Sequence, residues 1–293
     1  TLPAVYGSSA PKTNAADLRT SGYEISVAWR DGFNLAGKPF QYGVAASLGD
    51  YKTVITKYEN PTKLLSDHYV GKVLGDIWGY TTDGLFASDE EAAAYAAIVN
   101  DRNANKGVYA GAAPYNVLMA GDIKYIDVPT VDTDGDGVPD AGDGVINTGA
   151  NTFDDPGDRK IIGNSKPRYN YSFRGDFNWM GIDLQVFFQG VGKMDWMPDA
   201  NCIYFWNTYS YHRPTFIPKD FEARCWSSEE GADNSKALFP RRRGRMAASS
   251  YLVTSDYWLQ DASYIRLKNL TVGYTLPLKT KAVEKVRFYF SGE

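Results

Sequence analysis

The sequence has few of the residues on which several classes of protein depend. Two cysteines, Cys202 and Cys225, among 293 residues exclude a scaffold built on disulfides. The two histidines, His68 and His212, occur without a cysteine ligand pattern or an HExxH motif, which argues against a zinc site. Polar residues or glycine interrupt every apolar run well before the roughly 18 residues that a spanning helix needs. Lys and Arg total 31 against 35 Asp and Glu, and this even balance argues against a nucleic-acid partner.

Aromatic residues are abundant, with 21 Tyr, 14 Phe and 7 Trp, and 28 Gly and 14 Pro interrupt the chain. This mixture favours strands joined by long loops. The segment 168–179 alternates strictly, which puts one chemical character on each face of a strand. Its odd positions are aromatic or glycine, and its even positions are polar or charged. The pattern resumes after Met180 and Gly181, which predicts a hairpin.

Six strands are predicted in all, in three hairpins. Their segments are 23–30, 40–48, 168–179, 182–189, 262–276 and 286–290. A slip of phase between Leu267 and Leu270 predicts a β-bulge. The links 31–39, 180–181 and 277–285 are short, whereas the connections of about 50–167 and 191–261 are very long.

Alternating short and long connections are typical of an outer-membrane barrel, whose periplasmic turns are short and whose outer loops are long. The best strands run 9–11 residues, enough to cross the hydrocarbon layer when tilted. Their apolar faces carry no charge, as a lipid-facing surface requires. A soluble antiparallel sandwich also alternates in this way, so periodicity alone leaves both open. We predict an all-β antiparallel transmembrane barrel with long extracellular loops.

An Asp-rich segment, 132–143, has the spacing of a calcium-binding loop of the EF-hand type. Oxygen donors fall at positions 1, 3, 5, 9 and 12, a carbonyl at position 7 and a glycine at position 6. Five gathered carboxylates would repel by roughly 0.8 kcal/mol per pair even in water, so closure needs a cation. The alternative is a solvated acidic turn. The flanking segments are predicted as a strand (122–126) and a loop (147–158) instead of helices. The predicted calcium ligands, with magnesium as the alternative cation, are Asp132, Asp134, Asp136, Val138, Asp140 and Asp143.

Several stretches resemble the C-terminal barrel region of SusC/RagA-like TonB-dependent outer-membrane transporters. They are residues 22–30 (GYEISVAWR), 79–86 (GYTTDGLF), 121–127 (GDIKYID), 161–167 (IIGNSKP), 187–190 (FFQG) and 264–277 (YIRLKNLTVGYTLP). The resemblance spans nearly all of residues 1–293. It implies about six strands of a barrel of about 22 strands, corresponding to about strands 16 to 21. The plug domain, the TonB box and the remaining strands would lie outside this chain.

The resemblance implies energised import of a nutrient, an oligosaccharide or a peptide, across the bacterial outer membrane. It further implies a SusD-like surface lipoprotein as the lid, TonB as the energy-coupling partner through the N-terminal region, and outer-membrane lipid around the barrel. No catalytic role is expected, because no nucleophile elbow, Walker or dinucleotide pattern occurs and the paired acids show no separated environments. The alternative function is a soluble calcium-dependent carbohydrate-binding β-sandwich module.

The predicted extracellular loop 191–261 holds three further candidate sites. Flat aromatic rings can stack on sugars, which makes Trp196, Tyr204, Trp206 and Tyr209 candidate substrate contacts, with packing inside the loop as the alternative. An oxidising environment would permit a disulfide between Cys202 and Cys225, with two buried thiols as the alternative. A basic cluster could meet an anionic partner or be internally paired. It consists of Arg241, Arg242, Arg243 and Arg245.

Overall fold

The computed structural model describes residues 14–99, 107–110, 117–198, 219–243, 249–278 and 283–293. Within them the chain forms the following elements in order. They are β1 (Ala16–Leu35), β2 (Lys38–Tyr58), β3 (Asp76–Tyr80), β4 (Thr82–Leu85), α1 (Asp89–Ile98), β5 (Ile123–Tyr125), β6 (Arg159–Asn164), β7 (Arg168–Trp179), β8 (Ile182–Lys193), β9 (Asp195–Trp196), α2 (Phe221–Arg224), the 3-10 turns Asn234–Lys236 and Ser249–Tyr251, β10 (Gln260–Asp261), β11 (Tyr264–Pro277) and β12 (Lys285–Gly292). None of the helices in these ranges is long and apolar enough to cross a membrane.

The described residues separate into two compact units. The sheet unit consists of residues 20–52, 163–197 and 259–293, and it holds the long strands. The loop unit consists mainly of the described parts of residues 53–162 and 198–258. The two long connections expected between strands therefore fold into a structure of their own.

One antiparallel six-stranded sheet forms the sheet unit, in the order β1-β2-β7-β8-β11-β12. All six predicted strands are confirmed. The register pairs Phe40 with Trp179, and Ile182 with Tyr274, which brings the three short turns to the same end of the sheet. The sheet is open, with β1 and β12 at its edges, so these six strands do not themselves close a barrel.

The turns and the irregularity of this sheet follow from local sequence. Ala36-Gly37 and Met180-Gly181 have positive φ angles at both positions, the conformation of the tight turns that match the twist of a hairpin. The first link is therefore two residues long, and the predicted link 31–39 is wrong because the strand continues through Asp31 to Leu35. The predicted bulge in β11 is confirmed by a register shift between Leu267 and Asn269.

The loop unit is built around an aromatic core. Tyr125 is fully buried, and its hydroxyl donates a hydrogen bond of 2.6 Å to the Ser250 carbonyl. Burial raises the pKa of this phenol well above its usual value. The other large core side chains include Tyr69, Tyr80, Phe86, Ile123, Ile146, Phe221, Tyr251 and Trp258.

Several short elements of the loop unit were not predicted. Helix α1 begins at the N-cap Ser88, whose Oγ accepts the Glu91 N–H at 3.2 Å. The Ser-Asp-Glu-Glu run followed by alanines is the signature that could have revealed it. Strand β5 agrees with the strand predicted before the Asp-rich segment, and β5 pairs with β4. The small sheet β3-β6, and the sheet β9-β10 within the sheet unit, pair residues distant in sequence, which local patterns do not reveal.

Candidate functional site

One face of the six-stranded sheet is continuously apolar. The register aligns rows of apolar side chains across the strands, such as Ala46 with Phe173 and Phe173 with Phe188. The same face continues through Val186 paired with Leu270 and on to β12. Strand patterns that were separate in the sequence therefore merge into one surface.

The large side chains of this apolar face are exposed or half-buried, as far as the sheet unit is described. Trp29 is 60% exposed, Val27 65% and Phe290 70%. Val191 is the sole buried hydrophobic side chain among the described residues of this unit. A soluble sandwich would bury these side chains against a second sheet, whereas the other sheets in the described chain have only two strands each. An exposed apolar surface of this extent marks a site of interaction with protein or membrane.

Aromatic side chains lie at both ends of the apolar face. At the turn end, Phe33 and Phe40 have ring centroids 5.0 Å apart, and Phe40 lies 6.4 Å from Phe177. Ten residues separate Phe33 from Tyr23 on β1, and ten separate Trp179 from Tyr169 on β7. Ten residues of a strand tilted by about 40° span about 25 Å, the height of the apolar band on an outer-membrane barrel.

The opposite face is polar and internally bonded. The hydroxyls of Ser47 and Ser172 lie 2.7 Å apart across β2 and β7. Asp176 accepts hydrogen bonds of 3.0 Å from both Arg174 and Gln185. A cavity of about 590 Å³ borders this face, lined by polar side chains such as Gln41, Asp176 and Gln185 together with Tyr42, Phe177 and Leu184.

The charged side chains of the sheet thus lie on the polar face, with one exception between the two aromatic ends of the apolar face. Asp31 continues the odd-numbered series of Trp29 and Phe33, so it interrupts the apolar face of β1. It lies near the turn end, where its carboxylate accepts the Gly32 N–H at 2.7 Å. A charge at that depth costs far less in a membrane than one at mid-depth.

An ion pair joins β2 and β7 where they leave the sheet. Arg168 donates two hydrogen bonds of 2.5 Å to Asp50, and the Tyr169 N–H adds a third at 3.3 Å. Asp50 is 7% exposed. Bidentate pairs of this kind hold a fixed geometry, so the pair fixes the start of β7 against β2.

The Asp-rich loop brings part of the predicted ligand set together. Carboxylate oxygens of Asp132, Asp134 and Asp136 all lie within 4.8 Å of one another, and all three side chains are exposed. The two oxygens of Asp132 accept the N–H groups of Gly137 and Gly135 at 2.8 and 2.7 Å, which lowers the pKa of this carboxyl. Three hard oxygen donors at this spacing fit a calcium ion.

The remaining predicted carboxylate ligands, Asp140 and Asp143, lie outside that group. Asp140 accepts hydrogen bonds from the N–H and the hydroxyl of Thr133 at 3.0 and 2.7 Å, and these lower its pKa. Val138 is exposed on the loop. Asp143 follows the bridge between Val131 and Ala141 that closes the loop, and it accepts the Val145 N–H at 2.8 Å.

The described residues include only two of the predicted sugar-stacking and disulfide residues, Trp196 and Cys225. Trp196 lies in β9 opposite Gln260 and is 47% exposed. Cys225 is buried, and its Sγ contacts the Pro240 carbonyl at 3.2 Å. The other candidates lie outside the described residues, namely Cys202, Tyr204, Trp206 and Tyr209.

The described arginines of the basic cluster are internally paired. Arg241 and Arg243 donate to the buried Asp122 at 2.6 and 3.2 Å, and Arg242 pairs with Glu222. The hydroxyl of Tyr251 also donates to Asp122; burial, reinforced by this carboxylate, raises the pKa of the phenol. Arg241 and Arg243 therefore stabilise the interior of the loop unit, whereas the pair of Arg242 lies on its surface. The fourth predicted member of the cluster, Arg245, lies outside the described residues.

Comparison with known proteins gives one informative similarity. The chain is 26% identical to TonB-dependent receptor P3 of Formosa agariphila over 313 aligned residues, which cover all of this chain and 25% of that protein. The chain thus spans about a quarter of the length of this curated relative. No protein-family model matches. The similarity confirms the resemblance to TonB-dependent transporters, and a SusC-like type is consistent with it.

Proposed function

We propose that this chain forms part of the barrel wall of a SusC-like TonB-dependent transporter in the bacterial outer membrane. The observation that carries the proposal is the continuous apolar face of the six-stranded sheet, which no second sheet of the described residues covers and which has aromatic side chains ten positions apart along β1 and β7. The similarity of the whole chain to a TonB-dependent receptor supports the same conclusion.

In this proposal the apolar face contacts lipid acyl chains and the polar face lines the barrel interior. Unpaired backbone groups cost several kcal/mol each in hydrocarbon. The edges β1 and β12 must therefore pair with further strands before the wall can stand in a membrane. The ion-paired polar face, with Asp176 and Asp183 each bonded to arginine, suits a water-containing lumen.

The proposed activity is TonB-powered import of a nutrient, an oligosaccharide or a peptide, under a SusD-like lipoprotein lid. Trp196 offers an exposed ring that could stack on a sugar. Tyr204, Trp206 and Tyr209 are proposed to add further ring contacts in the same loop. A transporter component of this kind binds and passes its cargo without catalysing a reaction.

The Asp-rich loop is proposed to bind calcium as a structural staple. The three clustered carboxylates of Asp132, Asp134 and Asp136 support this role. Calcium suits the all-oxygen donor set better than magnesium, because magnesium demands a stricter octahedral geometry. The positive φ angles of Gly135 and Gly137 let the loop turn tightly enough to gather the carboxylates.

Fractionation of cells that produce the intact receptor tests the proposal. The protein should sediment with outer membranes and resist salt and carbonate washes, and detergent should release it. Recovery in the aqueous fraction would refute the membrane wall and favour the carbohydrate-binding module. Uptake of labelled glycan or peptide pools by cells with and without the receptor would then identify the cargo class.

A further inference from the structure

The half of the polar face that lies farther from the short turns holds another cavity, of about 720 Å³. We call it the polar-face groove, and every residue that lines it belongs to the sheet unit. The register places Gly49 opposite Asn170 and Ser172 opposite Gln189, so β2, β7 and β8 form its floor. Strand β1 adds Glu24, whose Cγ would lie 3.9 Å from a Cβ placed on Gly49.

Two aromatic rings lie in this groove, on a face that is otherwise mainly polar. Phe187 breaks the alternation of β8, because it pairs with Arg174 on the polar face while Phe188 lies on the apolar face. Tyr51 follows Gly49 by two positions on β2, so it shares the same face, and it is 47% exposed. Neither ring can contact lipid in the proposed barrel wall, because both lie on the side of the lumen.

Amide side chains with unused hydrogen-bonding capacity lie between the two rings. Asn170 is exposed and Gln189 is half-buried, and neither side chain bonds to another residue in the described part of the chain. The hydroxyls of Ser47 and Ser172, which also line the groove, bond to each other at 2.7 Å. Each free amide offers two donors and one acceptor, which matches hydroxyl groups that both donate and accept.

The groove offers no positive charge to an anionic cargo. No lysine or arginine is among the residues that line it. Its two acids are Asp50, which is already bonded to Arg168, and Glu24, which forms no ion pair with the described residues. Arg266 borders the groove from β11, where its guanidinium lies over the Tyr264 ring at 5.0 Å. A carboxylate or sulfate entering the groove would therefore meet an unpaired acid and no cation inside it.

We propose that the polar-face groove binds an uncharged oligosaccharide. The rings of Tyr51 and Phe187 stack on the apolar faces of sugar units, and the amides of Asn170 and Gln189 bond to sugar hydroxyls. Aromatic side chains with a few well-placed polar groups, around a cavity of this size, are the usual lining of a small-molecule site. This inference rests on the proposed function, and it selects one of the two cargo classes named there.

The distance between the two rings indicates a chain and not a single sugar. Tyr51 and Phe187 are two strands apart and about six residues apart along the strands, which separates them by roughly 20 Å. A chain of several sugar units spans such a distance. A peptide fits less well, because the groove has no cation for its terminal carboxylate.

Calorimetric titration of the detergent-solubilised intact receptor tests this inference. The neutral probes are maltohexaose, laminarihexaose, xylohexaose and mannohexaose, the acidic probe is hexagalacturonate, and the peptide probe is hexaalanine. At least one neutral probe should bind about tenfold or more tightly than hexagalacturonate and hexaalanine, because the groove has no cation for their carboxylates. Tighter binding of either carboxylate-bearing probe would overturn the assignment.

Adjacent phenylalanines on opposite faces supply a matched pair of variants. Phe187→Leu keeps an apolar side chain without its ring and should weaken the best neutral probe about fivefold. Phe188→Leu makes the same change on the apolar face and should leave the affinity unchanged. Tyr51→Leu, on another strand, should weaken the same probe by a similar factor, which separates a folding defect at one position from loss of a stacking ring. The gel mobility of unheated samples reports whether each variant is folded.

The outcomes distinguish failure of the groove from failure of the transporter proposal. If the receptor fractionates with outer membranes but binds no neutral probe, the groove is overturned and the barrel wall stands. Binding unchanged by both Phe187→Leu and Tyr51→Leu would overturn the groove in the same way. Recovery of the receptor in the aqueous fraction would overturn both proposals, because the polar face would then line no lumen.

Discussion

The two faces of β2 allow a direct test with adjacent alanines. Ala46 lies on the apolar face opposite Phe173, and Ala45 lies on the polar face opposite Arg174. If the apolar face contacts lipid, Ala46→Arg places a charge near the middle of the hydrocarbon layer. Such a charge costs roughly 2–4 kcal/mol of folding free energy. Ala45→Arg places the same side chain in a hydrated lumen, where repulsion from Arg174 costs about 0.5 kcal/mol or less.

The assay is urea-induced unfolding of the intact receptor reconstituted in lipid vesicles, with the free energy taken from the shift of the midpoint. The expected difference between the two variants is at least about 1.5 kcal/mol, roughly tenfold in the folding equilibrium. The matched pair removes the effects of side-chain size, strand and position along the membrane normal. Equal costs for the two variants would refute the assignment of faces, and costs near zero for both would place both faces in water.

Three further predictions follow from the ion pairs and the Asp-rich loop. Asp50→Asn leaves Arg168 without its charged partner and should lower the unfolding free energy by about 1–3 kcal/mol in the same vesicle assay. An unchanged midpoint would show that the ion pair between Asp50 and Arg168 does not stabilise the sheet. Asp134→Ala with Asp136→Ala should remove calcium binding at the Asp-rich loop in calorimetry while the urea midpoint of the barrel stays constant. Asp122→Asn weakens the buried arginine pairs and should speed hydrogen exchange of the segment 241–243 at least tenfold, whereas unchanged exchange would show that the pairs do not hold it.

The sheet could be read from the sequence because each strand carries its signal locally. Period-two alternation in the segment 168–179 fixes both the strand and its faces, and the two-residue turn at Met180 fixes the partner. The bulge in β11 was visible for the same reason, since a slip of phase is itself a local feature. The first turn was misplaced because Asp31 and Gly32 are typical turn residues, yet here they continue β1.

The loop unit was far less predictable, because its structure depends on contacts between distant residues. Asp122 meets Arg241 across 119 positions, and Tyr125 meets Ser250 across 125. No periodic pattern in the sequence indicates a contact between residues so far apart. The calcium spacing drew attention to the segment 132–143, but spacing gave no indication that Asp143 would lie outside the cluster formed by Asp132 and its neighbours.

The contrast between the two units gives a physical reason for placing the sheet unit in a membrane, as proposed. Both units are rich in aromatic side chains, yet the loop unit buries Tyr69, Tyr125 and Tyr251 whereas Trp29 and Phe290 of the sheet unit are more than half exposed. In water, each exposed large side chain forgoes about 1.5–3 kcal/mol that burial would contribute. A sheet with almost no buried hydrophobic side chain would therefore be unstable as a soluble layer. Contact with acyl chains supplies the missing apolar environment on one face without a second protein layer, while water solvates the charged face. The strand pattern that would destabilise a soluble domain therefore stabilises a barrel wall.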